Sequence, residues 1–172
     1  MINYSLFING VHSEVLEDIF EVQKHLPEQV LYLQPYSGKR IVKLADNNPS
    51  TEHPVQLFLS LTNDLSNIHF TCQIIGWDDK HTLSGRKKEI IRDIIMKFQP
   101  TEDDGIYLQA REGGSECRNL LHVRRMQKLS KPFSVSELIK ISDNSPISTN
   151  RTTAGGWSYV KVPDQKSLQQ KV

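Results

Sequence analysis

Apolar residues recur at helical spacing in three segments of the chain. Residues 13–27 place four apolar side chains on one face, with Ser13 as the predicted N-cap. Residues 84–100 carry the clearest apolar stripe, and residues 134–141 predict a short helix that opens with a Ser-x-x-Glu capping box. The apolar faces consist of Val15, Leu16, Ile19 and Phe20 in the first segment and of Ile90, Ile91, Ile94, Ile95 and Phe98 in the second.

Strand-like segments separated by short turn-rich pieces make up most of the remaining chain. They span residues 29–36, 39–46, 54–62, 67–77, 105–109, 118–129 and 157–162. Alternate residues from Val55 to Leu61 share one face, and alternate residues from Ile68 to Ile74, including Cys72, share another. This order predicts an α+β fold: a strongly curved mixed β-sheet that closes toward a small barrel, with two or three flanking helices.

The length of 172 residues fits one domain, which we expect to cover residues 1–162, with residues 163–172 as a flexible tail. The formal net charge of +1 provides no overall field that attracts nucleic acid or anionic lipid, so such binding needs a local patch. Two cysteines make neither a disulfide framework nor a four-ligand zinc site. Without a signal peptide or a membrane-length apolar run, we expect a cytoplasmic protein with no membrane partner.

A paired glycine stands directly before a tryptophan in the segment NRTTAGGWSYVKV, residues 150–162. Gly155 and Gly156 permit positive φ angles and let another group come close to the backbone. One interpretation is a tight turn with Trp157 as a hydrophobic plug. The other is a lip on which Trp157 stacks against a planar ligand, because arginine, hydroxyls and an aromatic ring together bind phosphates and unstacked bases. The donors in this second interpretation are Arg151, Thr152, Thr153 and Ser158.

The second tryptophan, Trp77, ends the fourth strand segment directly after Gly76. Strict alternation places Trp77 on the face opposite Ile74, where its ring would line a groove. A bulge at Gly76 would return the ring to the core face, and glycine is where bulges occur. Both placements are compatible with the sequence.

Basic residues are concentrated in the second half of the chain. Residues 118–131 contain five basic residues and no acid, whereas acids gather in the first predicted helix. A near-neutral chain with segregated charge can present one basic face. For the basic residues of the segment 86–97, a solvated helix face is the alternative. The candidate phosphate contacts are Lys39, Arg40, Arg118, Arg124 and Arg125.

The strand-rich order around an amphipathic helix, the CQIIGWDDK strand and the late RTTAGGW segment together resemble the PUA-like superfamily, which includes the EVE, YTH and ASCH domains. The resemblance covers roughly residues 29–162. It implies a small PUA-like barrel that binds RNA or modified DNA, with Trp77 and Trp157 as walls of an aromatic cage around a modified or flipped base. The chain lacks the tryptophan-rich opening of EVE domains and the spacing of the YTH cage.

An enzymatic alternative comes from WDDKH, residues 77–81, in which Asp78 and Lys80 have the acid-x-lysine spacing of divalent-metal nucleases. Asp64 is the candidate for the second metal-binding acid. The six histidines lack the close spacing of a metal pair, and neither cysteine lies in a nucleophile motif. No phosphate loop or dinucleotide fingerprint is present, so we expect no cofactor and no metal.

These patterns favour a non-catalytic nucleic-acid-binding module that holds one unstacked or modified base in an aromatic groove. Its expected partner is DNA or RNA, and a partner nuclease or another protein is a further candidate. The alternatives are the divalent-metal nuclease and a protein-interaction or accessory domain that uses the same groove for a peptide.

Overall fold

A computed structural model of the protein describes residues 3–35, 39–101 and 118–161, which contain one six-stranded mixed sheet. The strands are β1 (Ser5–Val11), β2 (Leu31–Leu33), β3 (Val55–Leu61), β4 (Asp64–Asp79), β5 (Asn119–Ser134) and β6 (Trp157–Val160). Their order across the sheet is β2-β5-β4-β3-β1-β6. β1 and β3 run parallel, and the other neighbouring pairs run antiparallel.

In the described residues three helices accompany this sheet: α1 (Ser13–Gln23), α2 (Val42–Asn47) and α3 (Gly85–Phe98). Short 3₁₀ turns at Lys80–Thr82 and Val135–Glu137 follow β4 and β5. The α+β class predicted from sequence is therefore confirmed. Within the described ranges, no helix combines the length and the apolar character needed to cross a membrane.

The sheet is open, with β2 and β6 at its two edges, so the predicted closure into a barrel is not confirmed by the described strands. At the β2 edge the buried side chain of Gln99 makes hydrogen bonds like those of a neighbouring strand. Its Oε1 accepts from the Tyr32 N–H at 2.9 Å and its Nε2 donates to the Tyr32 carbonyl at 2.8 Å. At the other edge the N–H of Ile141 donates to the Tyr159 carbonyl at 3.1 Å. Both edges are thus partly covered, which protects them from pairing with other chains.

Apolar side chains are buried on both faces of the central strands. Face A, the face that carries α1 and α2, buries Leu6, Leu16, Ile19, Leu44, Leu57 and Phe70, among others. Face B, the opposite face, buries Phe7, Phe58, Phe133, Leu138, Ile147 and Val160, among others. A third cluster packs α3 against β2 and β5 through Tyr32, Ile91, Ile95 and Leu120. Burial of each large apolar side chain contributes roughly 1.5–3 kcal/mol.

The predicted inward faces are correct for β3 and partly correct for β4. The alternate residues from Val55 to Leu61 all lie in the face A core. Cys72 lies there too, and its burial raises the pKa of the thiol. Ile68, however, lies in the face B core, because the β3–β4 register shifts between Leu59, which pairs with Phe70, and Ser60, which pairs with Ile68. A single register shift reverses the alternation of every residue beyond it.

The predicted strand at residues 39–46 is wrong, because this segment contains α2. Its β-branched pair Ile41 and Val42 favours a strand by propensity. In the structure Ile41 and Leu44, three positions apart, are buried together while Val42 is 49% exposed. Helical spacing of the two buried side chains therefore prevails, and Asn48 ends the helix in the left-handed conformation at φ 46°.

Two helix boundaries also differ from the sequence-based prediction. The N-cap of α1 is His12 instead of Ser13, and its side chain makes no capping bond. The predicted helix at residues 134–141 is only a 3₁₀ turn, in which the Ser134 hydroxyl accepts from the Ser136 N–H at 3.2 Å. The predicted strand at 105–109 and the predicted tail at 163–172 lie outside the described residues.

Candidate functional site

Residues 153–156, here called the glycine loop, lead the chain into β6 and are fixed to β1 by the buried side chain of Asn9. Its Nδ2 donates to the carbonyls of Thr153 and Gly155, each at 3.0 Å. Two backbone bonds join them: the Gly155 N–H donates to the Asn9 carbonyl at 2.7 Å, and the Asn9 N–H donates to the Gly156 carbonyl at 3.1 Å. The glycine loop is therefore anchored at four points.

Backbone conformation explains the paired glycine. Gly155 has φ 116° and Gly156 has φ 84°, values that residues with a side chain rarely adopt. A Cβ at either position would have no neighbouring atom within 4 Å, so close packing is not the reason for glycine there. Close packing occurs at Gly10 instead, where a Cβ would lie 2.6 Å from the Cβ of Ala154.

Two half-buried side chains, Trp157 and Tyr159, form an aromatic shelf on face A at the β6 edge. Their ring centroids are 5.0 Å apart at an interplanar angle of 61°, and the Tyr4 ring lies 5.4 Å from Tyr159. The ammonium of Lys43, in α2, is 4.9 Å from the Tyr159 centroid and 5.2 Å from the Tyr4 centroid. The shelf opens into a notch of about 390 Å³, here called the shelf notch, lined by Lys43, Lys140, Ile141, Ser142, Trp157, Ser158 and Tyr159.

The shelf notch combines uncharged rings with ammonium groups. Burial raises the pKa of Tyr4 to about 12 and raises the pKa of Tyr159 above its ordinary value, so both phenols are neutral at physiological pH. Positive charge comes from Lys43 and from Lys140, whose ammonium lies 3.4 Å from the largely exposed carboxylate of Asp143. A neutral aromatic surface beside ammonium groups can accept the face of a base and a neighbouring phosphate.

Of the two placements that the sequence allows for Trp77, the structure has the one in which the ring faces the core. The β4–β5 register shifts between Ile74 and Gly76, and this bulge returns Trp77 to face A, where it packs against the core. The indole Nε1 donates to Asn119 Oδ1 at 2.9 Å, and the same oxygen accepts from the Ile41 N–H at 2.8 Å. Trp77 therefore helps to hold the segment that precedes α2.

The structure does not bring the two tryptophans together. β3 and β1 lie between β4, which carries Trp77, and β6, which carries Trp157. At about 4.8 Å per strand, β4 and β6 are therefore about 14 Å apart. Register pairs Trp157 with Ile8, Ile8 with Leu59 and Leu59 with Phe70. Trp77 follows Phe70 by seven residues, which is about 23 Å along β4 at about 3.3 Å per residue. A single base cannot contact both rings.

The other residues predicted around Trp157 also separate. The guanidinium of Arg151 lies 5.4 Å from the ring centroid of Phe7, which belongs to face B, whereas Trp157 belongs to face A. Thr152 and Thr153 are exposed, and Ser158 lines the shelf notch. Of the residues predicted for base binding, Trp157 and Ser158 are thus the ones in contact with the notch.

Two of the predicted phosphate contacts are paired with Glu28: Arg124, which is buried, and Arg125, whose side chain is 47% exposed. The guanidinium of Arg124, 7% exposed, donates to Gln73 Oε1, to Glu28 Oε2 and to the Thr51 carbonyl, each at 2.9 Å. The Nε of Arg125 donates to Glu28 Oε1 at 2.6 Å. These arginines join β5 to the loop before β2 and to the loop before β3, which is a structural role.

The remaining predicted phosphate contacts lie near Trp77, away from the shelf notch. Arg118 Nε donates to Asp79 Oδ2 at 2.9 Å. Arg40 is exposed and its guanidinium lies 5.9 Å from the Trp77 ring centroid, and the carbonyl of neighbouring Lys39 accepts from Asn119 Nδ2 at 2.7 Å. The predicted residues therefore form two separate groups instead of one basic groove.

The residues proposed for a metal nuclease are likewise dispersed. Asp78 accepts from Lys87 Nζ and pairs with His122 Nε2, each at 2.7 Å, and Lys80 is buried. Asp64 begins β4 and Asp78 lies near its end, on the order of 40 Å away along the strand. The described part of the chain contains no group of three or more metal-ligating side chains.

Acidification should destabilise the protein through His122. Burial lowers its pKa from 6.5, outweighing the opposite effect of Asp78, so the unfolded chain binds the proton more readily. Stability from this group is present above the ordinary pKa and is lost as pH falls below it. We expect the urea midpoint to fall between about pH 7.5 and about pH 5.5, and to fall less in His122→Gln. An equal fall in the variant would contradict this assignment.

Four residues that build the site are not predicted from the sequence: Tyr4, Asn9, Lys43 and Tyr159. A usable signal existed for Tyr159, since positions 157 and 159 of one strand share a face. Tyr4 and Asn9 depend on the pairing of β1 with β6, which no local pattern indicates. The position of Lys43 beside Tyr159 depends on α2, whereas the sequence predicts a strand for this segment.

Comparison with known proteins gives this chain no family. No protein-family model matches the sequence, and no curated protein matches it.

Proposed function

We propose that the protein binds single-stranded nucleic acid at the shelf notch, with one base stacked on Trp157. The observation that carries this proposal is the half-buried Trp157–Tyr159 pair beside the Lys43 ammonium. Aromatic rings offer a stacking surface to every base, and lysines supply the charge that attracts the phosphate backbone. The notch volume of about 390 Å³ is of the size that accommodates a small planar group.

This proposal modifies the two-tryptophan cage in one respect. The base stacks on a one-sided shelf of Trp157 and Tyr159, and Trp77 acts in folding through its bond to Asn119. The resemblance to PUA-like domains, and the barrel and modified-base recognition that it implies, remain predictions that this site is compatible with. The Lys43 ammonium beside neutral aromatic rings favours a nucleic acid over an uncharged or basic peptide, because an ammonium group complements phosphate.

Replacement of Trp157 by alanine should weaken binding by roughly 5- to 150-fold, because stacking contributes roughly 1–3 kcal/mol per base. The measurement is fluorescence anisotropy of labelled single-stranded RNA and DNA, with and without methylated bases, at low and moderate salt. Affinity should fall as salt rises, since phosphate contacts release counterions.

The matched control is Trp77→Phe, which keeps an aromatic ring in the core but removes the indole bond to Asn119. It should bind like the wild type even if its stability falls by about 1 kcal/mol. Equal weakening by Trp77→Phe and Trp157→Ala would indicate a general effect of destabilisation and would count against the shelf notch. Circular dichroism of both variants establishes that they are folded.

A further inference from the structure

Arg151 differs from Arg118, Arg124 and Arg125 because, within the described residues, no carboxylate pairs with its guanidinium, which lies against the ring of Phe7. Its Nε is buried without a hydrogen-bond partner, and no carboxylate pairs with it in the described part of the chain. Arg118, Arg124 and Arg125 each pair with an aspartate or glutamate. A partly buried guanidinium that lies on an aromatic ring and has no counter-ion can still bind an anion.

The surroundings of Arg151 are held in a fixed position. Its guanidinium lies 5.4 Å from the Phe7 ring on face B, and burial lowers its pKa. The neighbouring glycine loop is anchored by Asn9, whose Nδ2 donates to the Thr153 carbonyl at 3.0 Å. Across the sheet, Phe7 pairs with Ser158. A positively charged group is thus presented at the β6 edge by rigid elements.

Two exposed threonines stand next to Arg151 in the chain. Thr152 and Thr153 follow Arg151 directly, are exposed, and make no side-chain hydrogen bond within the described ranges. Guanidinium and hydroxyl donors without acid acceptors form the set of groups that binds a tetrahedral oxyanion.

We propose that Arg151, with Thr152 and Thr153, binds a phosphate group on face B, on the side of β6 opposite the shelf notch. The site goes beyond the proposed base-stacking function and stands on its own geometry. Its phosphate comes either from a nucleic-acid strand that crosses the β6 edge from the notch or from a free phosphorylated molecule. The two sources share the same chemistry at Arg151 and are separated by experiment.

The primary test uses the wild-type protein and inorganic phosphate, followed by NMR of the arginine Nε–Hε signals. We expect the Arg151 signal to shift saturably with phosphate while the signal of Arg92 does not. Arg92 is a matched internal control because its Nε is also buried without a partner. A shift of Arg151 no larger than that of Arg92 overturns the inference.

The second arm identifies the source of the phosphate. If the strand supplies it, a saturating single-stranded oligonucleotide shifts the Arg151 signal and abolishes the further response to phosphate, and Arg151→Gln weakens oligonucleotide binding several-fold. If a free molecule supplies it, the phosphate response persists with the oligonucleotide bound.

The same titration in Trp157→Ala separates this inference from the proposed function. A phosphate response at Arg151 without any oligonucleotide binding in the wild type would contradict base stacking and support the phosphate site. Oligonucleotide binding that depends on Trp157, without a phosphate response at Arg151, would support base stacking and contradict the phosphate site.

Discussion

Replacing Gly10 by alanine should lower the free energy of unfolding by roughly 2–5 kcal/mol. Gly10 has φ 80°, a conformation that is strained for any residue with a Cβ. The added Cβ would also lie 2.6 Å from Ala154 Cβ, 2.9 Å from Leu65 Cδ2 and 3.0 Å from Ala154 Cα. Since one of these atoms is backbone, a side-chain rotation cannot relieve the clash.

Urea denaturation followed by circular dichroism measures this effect, and two other glycines provide graded controls. Gly85→Ala, at the first position of α3, meets no atom within 4 Å and should be neutral or stabilising by up to about 1 kcal/mol. Gly155→Ala also has open space but keeps a positive φ of 116°, so it should cost about 1–2 kcal/mol. We therefore expect Gly85→Ala to be the most stable of the three variants, Gly155→Ala to be intermediate and Gly10→Ala to be the least stable.

The Gly10 variant also bears on the functional site. Ala154 lies in the glycine loop, so displacing it from β1 should loosen the start of β6 and with it Trp157. Nucleic-acid binding should therefore weaken in Gly10→Ala and not in Gly85→Ala. Wild-type stability in Gly10→Ala would show that the glycine loop does not pack on β1 in the way described.

The second large effect is expected at Gln23, the last residue of α1. Its buried amide donates to the carbonyls of Gln29 and Val123, at 2.8 and 3.0 Å, and its Oε1 accepts from the Met126 N–H at 2.8 Å. Gln23→Leu keeps approximately the same volume but leaves these backbone groups without partners. Each unsatisfied buried group costs about 1–3 kcal/mol, so we expect a loss of roughly 2–5 kcal/mol.

Two further variants sharpen this prediction. Gln29→Ala removes a side chain that makes only a 3.2 Å bond to the Val30 carbonyl and should change stability by about 0.5 kcal/mol or less. Gln23→Glu keeps the acceptor for Met126 but places a carboxylate beside two carbonyls, so its stability should recover partly at acidic pH, where a protonated acid can donate. Wild-type stability in Gln23→Leu would contradict the role of Gln23 in β5.

Gln23 also illustrates why part of the fold could not be predicted from sequence. The periodicity of α1 and α3 and the alternation of β3 predicted those elements, because burial on one face leaves a local pattern. The extended backbone of β5 is interrupted at Arg125, which adopts φ 55°. The side chain of Gln23, from α1, accepts the hydrogen bond of the next N–H, that of Met126. Such a compensation joins residues far apart in the chain and leaves no local signal.

The candidate site was predictable to a similar extent. The glycine pair before Trp157 predicts positive φ angles, because glycine adopts them without strain, and both Gly155 and Gly156 have them. Trp77 was left undecided because one bulge at Gly76 determines its face, and bulge position depends on the partner strand. Arg151 was predicted beside Trp157 on proximity in sequence, whereas the alternation of β1 neighbours places it on the opposite face.

The most direct test of the proposed function is a fluorescence titration of the Trp77→Phe variant. The chain has two tryptophans, so this variant makes Trp157 the sole reporter. A short single-stranded oligonucleotide is added at low salt and then at moderate salt. Base stacking in the shelf notch predicts saturable quenching that weakens as salt rises. Unchanged emission with every single-stranded RNA and DNA tested, in a variant shown to be folded, would contradict the proposal.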